Sequence, residues 1–336
     1  MSKDLKRILI ESTLNKTIKD AKESPRRTLR NLIDMGLIFS KGQHQKDFLN
    51  SARALLQNED SQYYKLAEDI FFHVNENFLF RFGINLGYNG CVKGADRIRE
   101  KEREKEISIP WSLSIIIDDE KLKKQPQIYQ KIIEEGMGLG IYVYRLFLIG
   151  GDPERVIGLM ERYPDCAFAV FLEHTVITDR FIRRMTELGI ALTSVCADEK
   201  TENICRKFRE AGLLFAVCCR YQEREKERLL SEQWFAEVTR YSPHFVFLYP
   251  DASCSSQARN EIYRRILEER RNQKQPFLCM DLIRDFCEID QMISAHTSIL
   301  GFHRDGSPWT YNAMKFPENY NIFEESLEEI LKKTAL

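Results

Sequence analysis

Chemistry in this sequence is concentrated where apolar runs stop. The run at residues 141–148 leads into Gly150, Gly151 and Asp152, followed by Pro153. Two glycines let the backbone approach a bound group closely. Asp152 stands where an N-cap carboxylate would accept orphan amides, and Pro153 suits the first turn of the next helix. Other runs end in Asp118 and Asp119, in Glu173 and His174, in Cys196 and Asp198, in Cys218, Cys219 and Arg220, and in Asp251. Carboxylates, an imidazole, thiols and a guanidinium in one rim can coordinate a metal ion or move protons. Each acid taken singly has a commoner use, as the cap of the following helix. His174 is the residue that capping explains least. Cys218 and Cys219 are neighbours on a strand and point to opposite faces, so they do not chelate by themselves. CxxC, HExxH, Walker and GxSxG patterns do not occur, which removes the strong local signatures.

A rim of this kind needs a frame that brings run ends together. Apolar strands are expected at residues 111–117, 141–148, 167–172, 190–195, 213–219 and 244–249, with a short one at 277–283. Helical periodicity lies between them, at residues 128–137, 154–162, 179–188, 200–211, 229–241 and 257–271. Such alternation implies a parallel sheet with helical crossovers. Continuous runs such as FAVFL and FVFLY fit strands buried on both faces. Six βα units without a topological break point to a partial (β/α)6 barrel of parallel strands, whose ligands bind at the C-terminal strand ends. The expected organisation is a helical N-terminal region over residues 1–108, the barrel over 109–290, and a C-terminal β-hairpin and helix over 291–336. The hairpin is centred on Arg304, Asp305 and Gly306. The segment RIREKEREKE interleaves opposite charges and reads as a solvated helical face.

Composition narrows the partners. The 336 residues carry a formal net charge of -1, so no overall field draws the chain to nucleic acid or an anionic membrane. No apolar stretch approaches a membrane span, and the charged N-terminus does not resemble a signal peptide. Nine cysteines without paired spacing suit a reducing compartment, so a cytoplasmic location is expected.

Particular segments carry a family resemblance. ISIPWSLSIIIDD, GLGIYVY, GGDPE, PDCAFAVFLEHTVITDRFIRRM, Ser194-Val195 and FLCMD resemble a subgroup of radical S-adenosylmethionine (radical SAM) enzymes in which a helical N-terminal region precedes an IPW strand. The resemblance implies the same partial (β/α)6 barrel. It also implies a CxxxCxxC loop after the first strand, whose three thiolates hold a 4Fe-4S cluster and leave one iron open for SAM. Gly150, Gly151 and Asp152 match the family's Gly-Gly-Glu segment, with a shorter acid. Yet no cysteine lies between Cys91 and Cys166, and Asp118-Asp119 runs directly into EKLKKQPQIYQKIIEEG. The segment after Ser194-Val195 is also short, since Asp198 almost adjoins the next helix. Cys287 matches the first of two C-terminal family cysteines, and Trp309 stands where the second is expected.

The chain is therefore expected to be a catalytically degenerate radical SAM-like protein, a pseudoenzyme that binds a partner protein or small ligand at the barrel mouth. A complete radical SAM paralogue or its substrate is the expected partner. Two alternatives stay open: a cluster-independent enzyme using Asp118, Asp152, Glu173, His174 and Asp198, or a SAM-binding protein without an iron–sulfur cluster. No metal or 4Fe-4S cluster is expected at the usual position; Cys196, Cys218 and Cys254 are the conceivable replacement ligands. The expected site is a small polar pocket floored by Gly150, Gly151 and Asp152 and flanked by Asp118, Glu173 and His174.

Overall fold

The computed structural model describes residues 5–40, 42–251, 253–294, 300–310 and 320–334. The leader is helical: α1 (Leu5–Ala21), α2 (Pro25–Phe39), α3 (Gln43–Leu55), α4 (Tyr63–His73), α5 (Glu76–Gly83), a π-helix (Ile84–Gly94) and α6 (Ala95–Lys105). The barrel segment follows as β1 (Ser112–Ile117), α7 (Asp119–Lys124), α8 (Pro126–Leu139), β2 (Val143–Ile149), α9 (Glu154–Met160), β3 (Ala167–Glu173), α10 (Asp179–Leu188), β4 (Ala191–Cys196), α11 (Thr201–Glu210), β5 (Phe215–Tyr221), α12 (Lys226–Leu230), α13 (Glu232–Thr239), β6 (Phe245–Pro250), α14 (Ser256–Asn272), β7 (Leu278–Asp281) and α15 (Arg284–Ile293). β8 (Leu300–Phe302), β9 (Pro308–Thr310) and α16 (Leu327–Thr334) complete it.

The sheet order is β7-β6-β5-β4-β3-β2-β1-β8-β9, parallel throughout except for the final β8–β9 pair. The parallel arrangement over residues 111–250 is the one the apolar runs imply. The hairpin also forms, with β8 and β9 flanking Arg304, Asp305 and Gly306; residues 297–299 and 311–314 of its expected extent lie outside the described residues. One pairing was not anticipated: β8 joins the sheet parallel to β1, with Leu113 opposite Leu300.

Side-chain contacts show that the sheet curls. Phe147 of β2 and Tyr249 of β6 belong to strands separated by three others, yet their rings lie 6.5 Å apart. Phe171 and Phe247 lie 5.6 Å apart, and Phe147 stacks on Phe171 at 4.6 Å. The face carrying these rings is therefore concave. Alternation and register put Arg145, Ser194, Cys196 and Cys218 on the same face. The opposite face carries residues such as Leu146, Leu148 and Val170, which are fully buried in the main apolar core.

The helical leader closes the N-terminal end of this half-barrel through polar pins. Asn85 Nδ2 donates to the carbonyls of Pro164 and Cys166, at 2.8 and 2.7 Å, just before β3. Asn89 Nδ2 reaches the Asp165 carbonyl at 2.8 Å. The Asn75 amide donates to the Gly212 carbonyl before β5, and Arg81 Nη1 to the Glu187 carbonyl before β4. The opposite, C-terminal strand ends form the mouth.

Candidate site at the barrel mouth

Two groups of residues occupy the mouth. The first surrounds the turn after β2. Gly150 and Gly151 adopt φ of 72° and 82°, the left-handed region that glycine enters without penalty. The turn is fixed by the Gly150 amide, which donates to the Glu173 carbonyl at 2.7 Å. Arg304 reaches over from the hairpin and donates to the Ile149 carbonyl at 3.1 Å. α9 begins one residue later than the proline pattern suggested, with Pro153 at the N-cap; the Asp152 carboxylate accepts the Glu154 amide at 3.0 Å. Asp152 also lies 3.8 Å from Arg155 Nε.

Asp118 and Asp119 separate in role. A single residue lies between the end of β1 and the start of α7, and Asp118 fills it as the N-cap, accepting the Lys121 amide at 2.8 Å. Its own amide donates to the Tyr129 hydroxyl at 2.9 Å. Asp119 pairs with Arg155. A Cβ on Gly151 would stand 2.6 Å from Cγ of Asp119, so Gly151 is what lets this carboxylate sit against the turn.

The second group lines a cleft of about 220 Å³ at the ends of β3, β4 and β5. Its walls include Glu173, His174, Cys196, Asp198, Cys218 and Arg220. His174 has a φ of 53° and a side chain 79% exposed, with Nε2 3.6 Å from Glu173. Asp198 is held locally: it accepts the Lys200 amide at 2.8 Å and the Thr201 hydroxyl at 3.2 Å. Arg220 donates to Asp251 at 2.7 Å. At the cleft floor the Cys196 and Cys218 sulfurs are 3.1 Å apart, and Cys196 lies 3.9 Å from the Tyr249 hydroxyl. Burial pushes the Cys218 thiol and the Tyr249 phenol well above their ordinary values.

The structure thus divides the expected pocket. Gly150, Gly151, Asp152 and Asp118 gather around the β2 turn, while Glu173, His174 and Asp198 face the neighbouring cleft. Cys254 joins neither; it is buried in a separate apolar cluster around β6, α13 and α14. Among the described residues no three His, Cys, Asp or Glu side chains converge as a metal site. The cluster implied by the resemblance does not fit after β1. The donors there are carboxylates, one spent on a helix cap and one on Arg155, and the connection is a single residue long.

Arg145 was missed as a candidate. It interrupts an apolar run and proves to be 2% exposed on the concave face. Nη1 donates to the Leu282 carbonyl at 3.2 Å, and the guanidinium lies 4.2 Å from the Phe286 ring centroid. Nε and Nη2 have no hydrogen-bond partner among the described residues. Desolvation lowers its pKa to about 10, against the field of Asp290. The available sequence signal was the charged residue inside an otherwise apolar strand.

No family model and no curated relative matches the chain. Solved structures do. The crystal structure of Streptococcus suis SuiB aligns at a TM-score of 0.50 and 10% identity, over 70% of this chain and 69% of SuiB. SuiB bound to S-adenosylmethionine aligns at 0.51 and 10% identity, over 70% of this chain and 67% of SuiB. Among the described residues no helix is long and apolar enough to cross a membrane. At this identity the likeness speaks for fold alone, a curled half-barrel of mostly parallel strands.

Proposed function

We propose that this chain is a catalytically degenerate radical SAM-like protein that uses the barrel mouth to bind a partner protein or small ligand. The observation that carries the proposal is the β1–α7 junction. Where the family resemblance calls for a cysteine loop, this chain has Asp118 alone between strand and helix, engaged as a cap. Reductive SAM chemistry needs a cluster with an open iron, and the donors at this position do not supply thiolates. The binding role rests on the exposed Asp152, His174 and Asp198 and the part-buried Glu173 around the mouth, and on the cleft at the ends of β3–β5. A complete radical SAM paralogue or its substrate remains the proposed partner.

The test is anaerobic reconstitution with iron and sulfide, followed by metal analysis and visible absorption. Sub-stoichiometric iron without a charge-transfer band supports the proposal. Stoichiometric iron and sulfide, abolished by Cys196→Ala, overturns it. Calorimetric titration with SAM addresses the reading as a SAM-binding protein without a cluster, which the glycine turn after β2 favours. Saturable binding weakened by Gly151→Ala would establish that reading instead.

A further inference from the structure

Away from the β2 turn, one pair of side chains has the geometry for covalent chemistry. Cys196 closes β4, Cys218 stands in β5, and the two are direct partners in the parallel register. Their sulfurs are 3.1 Å apart. Neighbouring strands lie about 4.8 Å apart, inside the span of roughly 4.4–6.8 Å between α-carbons that a disulfide bridges. The two thiols differ in access. Cys218 is fully buried, whereas Cys196 is part-exposed on the cleft wall. The cleft, at about 220 Å³, is smaller than the roughly 300 Å³ at which pockets for drug-sized ligands begin. A cleft of this size admits a small reactant to Cys196.

We propose that Cys196 and Cys218 form a redox-active dithiol whose oxidant is a small hydroperoxide. The Cys196 sulfur attacks the terminal peroxide oxygen, the O–O bond breaks, and the thiol proton leaves with the departing alkoxide as an alcohol, or as water from hydrogen peroxide. Cys196 is then a sulfenic acid. The Cys218 sulfur attacks the Cys196 sulfur, the S–O bond breaks, and hydroxide leaves as water with the Cys218 proton. Two thiols have lost two electrons and two protons, and one hydroperoxide has become an alcohol and water. Cys218 is fully buried and Cys196 part-exposed on the cleft, so the peroxide meets Cys196 first and Cys218 is left the resolving role. The product bridges β4 to β5 at the cleft floor. The dithiol lines the same cleft as the proposed binding role but does not depend on it, since the strand register and the sulfur–sulfur distance carry it alone.

The decisive experiment treats the full chain with one equivalent of hydrogen peroxide, blocks remaining thiols by alkylation, and maps peptides without reduction. The expected result is a peptide pair linked through Cys196 and Cys218, with Cys91, the other part-exposed cysteine, still alkylated. In Cys218→Ser, Cys196 should accumulate as a sulfenic acid captured by dimedone. In Cys196→Ser, Cys218 should stay reduced at the same dose. Oxidation of Cys91 ahead of Cys196, or conversion of wild-type Cys196 to a sulfinic acid without a linked peptide, would overturn the assignment. The wild-type map decides the matter even if a variant fails to fold.

Discussion

Asp69 of α4 receives two hydrogen bonds from Arg209 of α11, one of them at 2.7 Å, and so fastens the helical leader to the barrel. His244, buried just before β6, stands 3.4 Å away through Nε2. Its Nδ1 accepts the Phe215 amide at 3.2 Å, which leaves the neutral ring's proton on Nε2, facing Asp69. Burial alone would raise the Asp69 pKa, but the proximity of His244 and the bonds from Arg209 outweigh it and hold the carboxyl well below the ordinary range.

A carboxylate depressed in the folded state stabilises fully above its unfolded pKa, and that stability is lost as pH falls through the folded value. Asp69→Asn should therefore cost about 1–3 kcal/mol at neutral pH, as expected for a part-buried charged group left without its partner. The deficit should shrink below about pH 4, where the unfolded carboxyl protonates. Urea denaturation of both proteins across that range checks this; a deficit that grows on acidification contradicts the assigned sign.

Arg145 leads to the opposite expectation. A buried charge with two unpartnered nitrogens is a poor contributor to stability, and apolar replacements of similar volume are often neutral or better. Arg145→Met should remain within about 1 kcal/mol of the wild type or exceed it. A loss of several kcal/mol in urea would mean that the contacts with Leu282 and Phe286 are worth more than the desolvation they offset.

Asp118 is interpreted as a cap, and this is separable from chemistry. Asp118→Ala should lower stability by about 0.5–2 kcal/mol, and Asp118→Asn should recover most of it, because an amide oxygen still accepts the Lys121 amide. Thermal unfolding distinguishes the two. Equal losses would mean that the charge, and not the cap, is what the site needs.

The frame was largely legible because its cause is local. Parallel strands buried on both faces leave continuous apolar runs, and the runs at 167–172 and 244–249 became β3 and β6 within a residue or two. β8 was legible only as half of a hairpin: its three residues carry no sign that they pair parallel to β1, since that partner lies far away in sequence. The π-helix over Ile84–Gly94 was also hidden. Its glycines argue against a helix, and the asparagines that pin it find their partners in the barrel. At the mouth, residue types marked the strand ends, but they did not reveal that the turn and the cleft are separate. The Cys196–Cys218 contact follows from register and curl, which become countable only once the strands are aligned.

Gly151 gives the sharpest test of the turn. Its φ of 82° disfavours any side chain, and an added Cβ would also meet Asp119 at 2.6 Å from Cγ. Alanine would lower backbone entropy in the unfolded chain, a gain of about 0.4–1 kcal/mol where the conformation suits it, but here the conformation does not. The left-handed strain costs about 1–3 kcal/mol, and relief of the clash requires Asp119 to leave Arg155. Gly151→Ala should therefore lower the Tm clearly. Gly158→Ala offers a control in the helix that follows, since that glycine has nothing within 4 Å of an added Cβ and alanine favours helices. If an Asp119→Gly background, which removes the Cβ and carboxylate that an added Cβ would meet, takes away most of the additional penalty, the close approach is its main source. If Gly151→Ala stays equally destabilised in the Asp119→Gly background, the left-handed backbone alone sets the requirement for glycine.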